Sequence, residues 1–411
     1  MPGQAAGSDF SFIVGDETTY GTPDATTGVR VRTTGLTGQG ATQNLLEDPT
    51  LDNDRAPGQP LYGNVDVSRG IPMTVAPEDM DKLLKYALGA ANVYRPALVA
   101  APQITGIDAM YAETATPLGD GTLTFTFAAS TLAWQANGDT AGAAVDVSAG
   151  GTFTLESGTA DRALIVEVDA GALPGVNKSD TVAIVGAYEK HFSIGPLVGS
   201  FWAEGDLGAN ITKRYALHTG LRISELVLST PQEGALTAQF SVKGRDETYN
   251  TTPTDAAPDS PGHTSLSAAN ITGLEEGGAT IAGLASLEFK LANNLDESAY
   301  EIDPTGSGSK RGDLPAGNAT VMGSVTALFK NTDILDKAIA KTISSLRQVA
   351  KHGTGDGTAG NGYFAIECGQ VLWERAGVPV DGPAGIRQTL NYRGFGSKAI
   401  RIITRNQVAA A

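Results

Sequence analysis

The sequence predicts a mainly β protein: a duplicated β-rich unit, each copy with a short flanking α-helix, plus an inserted Ig-like β-sandwich. Three observations carry this. Apolar residues alternate with polar ones, as in Val65, Val67, Ile71, Met73 and Val75 against Asp66, Ser68, Pro72 and Thr74, which is the period of a strand with one buried and one wetted face. Only two segments have helical periodicity. A block of charged loop, alternating strand and short helix occurs twice.

The first copy of that block reads Asp54-Arg55-Ala56-Pro57-Gly58, a strand over 63–75, then Asp79-Met80-Asp81-Lys82-Leu83. Its helix, residues 77–89, carries the apolar stripe Met80, Leu83, Leu84, Ala87 and Leu88, with Pro77 and two acids in its first turn and Gly89 at its end, where caps belong. Next comes a Gly/Ala/Thr-rich region, 103–188, in which Leu123, Phe125 and Phe127 alternate with threonines; it reads as a small β-sandwich inserted in a loop of the first copy. Residues 251–265, with four prolines or glycines among Thr, Asp and Ser, read as a linker or exposed loop. The second copy opens with Arg311-Gly312-Asp313-Leu314-Pro315, continues as a strand over 320–329, and closes on a helix from about Thr332 to Leu346 through Leu335, Ala338, Ile339 and Thr342. The domains expected are 1–102 with 189–250, the insertion 103–188, the linker 251–265, and 266–411.

Composition excludes several classes. The 411 residues contain 51 glycines with no three-residue period, so collagen is out. Charged residues are 18%, below the roughly 25% of ordinary soluble chains, and the net charge is 29 − 45 = −16, which disfavours a general binder of nucleic acid or anionic membrane. Neither a signal peptide nor a membrane span is expected. The one cysteine, Cys368, sits in an apolar strand pattern and reads as a structural thiol.

No catalytic, cofactor or metal site emerges. Gly355-Asp356-Gly357-Thr358-Ala359-Gly360 spells G-x-G-x-x-G, but a helix precedes it and a strand follows, the reverse of a dinucleotide site; it reads as a flexible turn. The four histidines have no i+3 or i+4 partner. Arg311-Gly312-Asp313 reads as a loop ion pair. One charge feature stands out: Arg387, Arg393, Lys398, Arg401 and Arg405 occur in a stretch with no acid, while Asp296, Glu297, Glu301 and Asp303 cluster elsewhere. These five cations are candidates for pairing with an acidic surface of a neighbouring copy; an exposed strand with solvated ends is the competing reading.

Phe12-Ile13-Val14-Gly15-Asp16-Glu17-Thr18-Thr19-Tyr20-Gly21-Thr22-Pro23 resembles the N-terminal E-x-x-Y-G-T-P of tail tube (major tail) proteins of long-tailed bacteriophages. Leu51-Asp52-Asn53-Asp54-Arg55-Ala56-Pro57 with the strand from Gly63 is similar to that family's Arg-loop and strand, and Thr219-Gly220-Leu221-Arg222-Ile223 and Phe240-Ser241-Val242-Lys243-Gly244 to its later paired strands. The insertion departs from the minimal pattern. The resemblance implies two tail-tube β-sandwich or barrel domains in a structural virion protein. Its chains would form rings, trimeric and pseudo-sixfold or alternatively hexameric, stacked into a conduit for double-stranded DNA that passes without specific binding. Its implied partners are itself, the tape measure protein, the tail terminator and the distal tail or baseplate proteins. No cofactor is implied, and the location is the virion, after assembly in the host cytoplasm. In the family the loop before the strand reaches the adjacent ring, so Asp52, Asp54, Arg55, Arg311 and Asp313 are expected at ring–ring contacts, the two arginines pairing with carboxylates of another copy. An acidic lumen is expected as well. A β-rich fibre or adhesin and a polysaccharide-acting enzyme are the alternatives.

Overall fold

A computed structural model describes residues 7–47, 59–89, 91–95, 104, 107–114, 121–136, 141–156, 162–184, 188–281, 283–302, 309–328, 332–379 and 386–407. Strands dominate. The first run is β1 (Ser11–Thr19), β2 (Thr22–Pro23), β3 (Val29–Val31), β4 (Thr37–Leu46), β5 (Leu61–Thr74) and helix α1 (Pro77–Leu88). The inserted region holds β6 (Asn92–Arg95), β7 (Ile107–Thr114), β8 (Gly121–Ala128), β9 (Thr131–Ala136), β10 (Val145–Asp146), β11 (Gly151–Glu156), β12 (Arg162–Val168) and β13 (Lys178–Ile184). Then come β14 (Tyr188–Ser193), β15 (Phe201–Asp206), β16 (Tyr215–Thr230), β17 (Thr237–Gly244) and β18 (Asp246–Asn250). The last run is β19 (Ile271–Glu276), β20 (Ala279–Thr280), β21 (Leu284–Ala292), β22 (Tyr300–Ile302), β23 (Ser309–Arg311), β24 (Thr320–Leu328), helix α2 (Asp333–Ala340), β25 (Ser344–Lys351), β26 (Tyr363–Trp373), β27 (Arg387–Gly394) and β28 (Arg401–Asn406).

The same antiparallel pairing path runs twice. In the first half it is β1–β15–β16–β17–β5–β4; in the second it is β19–β25–β26–β27–β24–β21. Chain order matches strand for strand, with α1 and α2 in the same place. Even an irregularity is shared: the register slips between Phe201↔Leu221 and Ala203↔His218, and again between Ser344↔Val371 and Leu346↔Cys368. After the last strand of each path the chain returns along β18 or β28 to the first half of β16 or β26. Each half is therefore two layers that share one long bent strand, and the alternating apolar residues of both layers meet in one core around Val67, Ile71, Phe201, Phe240, Phe289 and Ile402.

The insertion has a core of its own. One sheet is β10–β9–β8–β13, and β11–β12–β7 forms the other; Phe125, Phe127, Leu132, Trp134, Leu155 and Val166 are buried between them, and the Trp134 indole donates to Leu155 O at 2.9 Å. Strand β7 continues through β6 and β14 onto β28. Residues 251–265 form a loop strapped to the first half: Asp255 is buried and accepts from Gly28 N at 2.9 Å, and Asp259 exchanges backbone hydrogen bonds with Gly28 and Arg30.

Helix α1 starts on Pro77 and stops at Gly89, whose φ of +132° few other residues adopt and whose N–H reaches Lys85 O. Its apolar stripe is buried as the sequence predicts, but so are Glu78, Asp79, Asp81 and Lys82, because the helix is packed on several sides: His263 of the 251–265 loop pairs with Asp79 and Asp16 of β1 with Lys82, while β28 of the second half reaches Asp81. Lys190 on β14 ion-pairs with Asp81; Thr404 Oγ1 donates to Asp81 Oδ1 at 2.7 Å, and Asn406 on β28 donates to Asp81 Oδ2 at 2.8 Å. Helix α2 is shorter than the sequence reading of 332–346. Lys341 adopts φ +55°, a left-handed cap, and Ser344, Leu346 and Gln348 then bury alternate side chains as a strand. Leu346 satisfied the helical spacing and the strand spacing alike, and the β-branched Thr342 and Ile343 favoured extension.

Replacing Lys190 by Met leaves Asp81 an uncompensated buried charge, so chemical denaturation should show a loss of about 3 kcal/mol, with the strand content of the folded protein unchanged.

Candidate assembly interface

Inner-layer strands of the two halves form one run, β4–β5–β17–β16–β21–β24–β27–β26. The halves join head to tail where the second part of β16 pairs with β21, from Glu225↔Ala292 to Thr230↔Leu287. Antiparallel edges attract any strand that can complete their hydrogen bonds, and the internal junction settles one edge from each half. Two edges remain at opposite ends of the run. They belong to β4 and to β26, the strands equivalent to β21 and β16.

Side chains from the connection between β21 and β24 lock the internal junction. Asn293 donates through its amide to Ala87 O at 3.0 Å and to Ile223 O at 2.9 Å. Lys243 pairs with Glu297 at 2.9 Å, Lys310 with Asp246 at 2.7 Å, and Lys290 with Glu225 at 2.6 Å. At the centre lies Arg311, 2% exposed. Its guanidinium pairs with Asp66 on β5 at 2.6 Å, donates to Gly244 O at 3.1 Å and stacks over Tyr300 at 5.3 Å.

Within the chain the partners of Arg311 are Asp66, reached across the junction between halves, and Glu297 of its own connection. Asp313 is half exposed and pairs with Arg222 at 3.1 Å, so the ends of the Arg-Gly-Asp tripeptide pair with other segments, three ion pairs in all, rather than with each other. Asp52, Asp54 and Arg55 lie outside the described residues. Three of the five basic-strand candidates have a carboxylate partner within the chain: Arg393 with Glu374 at 3.0 Å, Arg401 with Glu367 at 2.9 Å, and Arg405 with Glu189 at 2.5 Å. Arg387 and Lys398 are exposed and have no ionic partner among the described residues. The basic strand looked unpaired because its acids come from β26, β14 and the segment after β26, far off in sequence.

Other motifs resolve into structure. Glu17 accepts from Gly21 N at 2.9 Å and Gly220 N at 2.7 Å, so the E-x-x-Y-G spacing closes a turn. Tyr20 lies over the same junction, and burial, helped by the Asp313 carboxylate, pushes its hydroxyl up to about 12. The glycine-rich 355–360 stretch is the hairpin loop between β25 and β26. Burial pushes the Cys368 thiol up to about 12 as well, so it stays a neutral packing group.

Sequence reasoning missed the two open edges and the polar cluster beside one of them. Arg69 on β5 pairs with Glu247 on β18 at 3.1 Å, His218 Nε2 lies 3.1 Å from the same carboxylate, and both acidic and basic partners reach the β4 edge: Ala41 N donates to Glu247 Oε2 at 2.6 Å, and Arg69 donates to Gly38 O at 3.0 Å. Nothing local marks these residues, since β4, β5, β16 and β18 meet only in the fold.

A head-to-tail sheet with an open edge at each end defines an assembly subunit. A family model described as phage tail tube protein matches residues 7–394, and the chain belongs to that family of structural, non-enzymatic tail proteins. No curated protein matches the chain. Among the described residues no group of His, Cys, Asp and Glu could hold a metal ion, and no helix is long and apolar enough to cross a membrane.

Truncating Arg311 to Ala should cost about 3 kcal/mol, because it empties a buried site at the junction and leaves Gly244 O without its donor. Truncating the exposed Arg387 should change stability by less than about 0.5 kcal/mol. Denaturant titration of the two variants checks the contrast.

Proposed function

We propose that three copies of this chain close into a pseudo-sixfold ring and that rings stack into the tail tube through which genomic double-stranded DNA leaves the particle, as in long-tailed phages. The observation that carries this reading is the internal β16–β21 junction. It joins two topologically equal halves head to tail, and a heterologous contact of that kind closes into a ring when its rotation allows. Each chain supplies two units, so the β26 edge of one copy and the β4 edge of the next would repeat the internal contact until the circle closes. The repeated pairing path supports reading the halves as duplicated tail-tube domains, 1–102 with 189–250 and 266–411.

The wetted face of the eight-strand run is the lumen in this reading. Ser68, Gln239, Ser241, Ser324, Thr326 and Thr389 alternate there with the buried residues of their strands, and Glu225–Lys290, Lys243–Glu297 and Arg393–Glu374 hold much of its charge in pairs. The wall is thus polar and charge-paired rather than simply acidic. Among the described residues these cations are neutralised in pairs, which gives a polyanion little to displace counterions from. The insertion hangs from β28 in the other layer, which supports placing 103–188 as a sandwich on the outside, where it leaves the bore clear. For stacking, the loops 44–60 and 294–317 remain the candidates, now with Asp52, Asp54, Arg55 and the half-exposed Asp313 as contacts and Arg311 turned inward. The tape measure, terminator and distal tail proteins are the partners at the ends of such a tube, and assembly takes place in the host cytoplasm.

Cryo-electron microscopy of the purified, assembled protein tests all of this in one map. Expected are stacked rings of three chains, the insertion projecting outward, and the 44–60 loops between rings. Six chains per ring, a bore filled by 103–188, or fibres without a channel would each overturn the corresponding part.

Deleting 103–188 with a short linker should leave tubes of unchanged bore but smaller outer diameter, measured in the same images. A folded deletion variant that forms no tubes would remove the insertion from the role of peripheral ornament.

A further inference from the structure

Matching registers carry the internal junction onto the open edges residue by residue. In the first half Leu221, Arg222 and Ile223 on β16 face Phe201, Lys243 and Val242; in the second Val371, Leu372 and Trp373 on β26 face Ser344, Arg393 and Tyr392. Ser224 is a bulge in β16 that β26 lacks, since Glu374 N donates to Asn391 O at 2.8 Å. Glu374 therefore corresponds to Glu225, Arg375 to Leu226 and Ala376 to Val227. On the other side, Ala41↔Val67 and Leu291↔Val321 make Ala41 the counterpart of Leu291, Thr42 of Ala292 and Gly40 of Lys290.

The internal pairs Glu225↔Ala292, Leu226↔Leu291 and Val227↔Lys290 thus translate into Glu374 with Thr42, Arg375 with Ala41 and Ala376 with Gly40. Residues 374–376 are exposed or half-buried and belong to no strand in the single chain, although their counterparts in β16 do.

The surroundings of the two junctions differ in one consistent way. His218 corresponds to Cys368 through the shared register slip, and Arg69 corresponds to Gly323 through their partners Val242 and Tyr392. Glu247, opposite His218, corresponds to Ile400, the residue before β28. At the internal junction the set is Leu226, Leu291, Gly323, Cys368 and Ile400, all apolar or bare. At the open edges it is Arg375, Ala41, Arg69, His218 and Glu247. A permanently covered edge is lined like a core, whereas a chain that must first exist alone carries charges at the edge it will later cover.

We propose that Glu247 plugs the β4 edge of the single chain, and that a second copy seats residues 374–376 on that edge, its backbone taking the Ala41 N–H while its Arg375 takes the Glu247 carboxylate. This rests on the reading of rings built by edge pairing and adds to it the register and the groups that exchange. Burial pushes the Glu247 carboxyl up, but His218 and the Ala41 N–H outweigh it and bring it down to about 2. The plug is therefore a carboxylate at neutral pH, and Arg375 is the group able to relieve it. Exchange of one charge-assisted partner for another keeps the Ala41 N–H and the Glu247 carboxylate hydrogen-bonded in both states, which an apolar edge could not do for the free chain.

Two measurements on the full-length protein test the proposal. Thr42→Cys with Glu374→Cys should cross-link copies in assembled particles under mild oxidation, giving covalent dimers and trimers on a denaturing gel. The register-shifted pair Thr42→Cys with Ala376→Cys should not; the native Cys368 is buried. Arg375→Glu, a change at a residue exposed in the single chain, should keep the thermal melt of the wild type. It should raise the concentration at half-assembly at least about tenfold, the scale of one lost charged hydrogen bond, whereas Arg375→Lys should restore most of it. Rings that cross-link only through the shifted pair, or an Arg375→Glu variant that assembles like wild type, would overturn the register and the exchange while leaving the ring reading intact. Absence of rings from the unmodified protein at any concentration would overturn the ring reading itself.

Discussion

A β-sheet has two edges, and everything in this molecule follows from how each one is closed. Backbone N–H and C=O groups at an edge are strong and directional, and they pair with whatever extended chain arrives first. The β16–β21 contact removes one pair of edges by covalent proximity: the partner is always present because it lies on the same chain. Buried residues on both sides make that solution permanent, with Leu226, Leu228, Phe289 and Leu291 under the seam and Arg311 riveting it from the loop. The remaining edges cannot be lined that way without making the lone subunit sticky.

Buried charge in this fold marks position more than it adds stability. Helix α1 takes Asp79, Asp81 and Lys82 out of water. Burial holds the Asp79 carboxyl above its ordinary value despite His263 and Arg32, and holds the Lys82 ammonium below its own despite Asp16. Both directions mean that desolvation outweighs pairing at these sites. For Asp79 the sign is that its folded form is relatively favoured at low pH, and the advantage is lost as pH rises through its raised value. An apolar helix could have been packed there more cheaply. What the charges give instead is a fixed helix: Asp81 can meet Lys190, Thr404 and Asn406 together in only one rotation, and those residues come from strands on either side of the join. The polar network thus fixes how α1 lies against β14 and β28.

Much of the architecture was legible in the sequence because it is written locally. Period-two alternation located β5 and β24, the proline, acids and Gly89 located α1, and the composition of 103–188 singled out a region with its own core. The repeat of loop, strand and helix pointed to two equal halves whose pairing paths coincide. What the sequence left harder to read has a common physical cause. Leu346 fits a helix and a strand equally, and only the left-handed Lys341 decides. The arginines at 393, 401 and 405 look like a free basic strip until antiparallel pairing brings Glu374, Glu367 and Glu189 beside them. Arg311 sits in a polar, aperiodic loop, where exposure is the ordinary expectation, yet it fills a buried site that exists only once two distant strands have met.

The assembly interface was the least legible part, since an edge is a property of topology and no residue type announces it. The contrast between the two junctions supplies the missing signal. Positions related by the internal repeat hold Gly323, Cys368 and Ile400 where the seam is permanent and Arg69, His218 and Glu247 where it is open, although both sets occupy the same backbone geometry. Fold alone therefore does not require the charges. Two halves with one pairing path whose seams differ in this way separate two tasks that one interface cannot perform: holding a chain together always, and holding copies together only when they meet. The internal seam performs the first task with a buried apolar layer held in place by Arg311 and the ion pairs around it. The charged one performs the second by keeping the Ala41 N–H and the Glu247 carboxylate hydrogen-bonded both before and after the partner arrives, so that the difference between subunit and assembly stays small enough to be set by concentration.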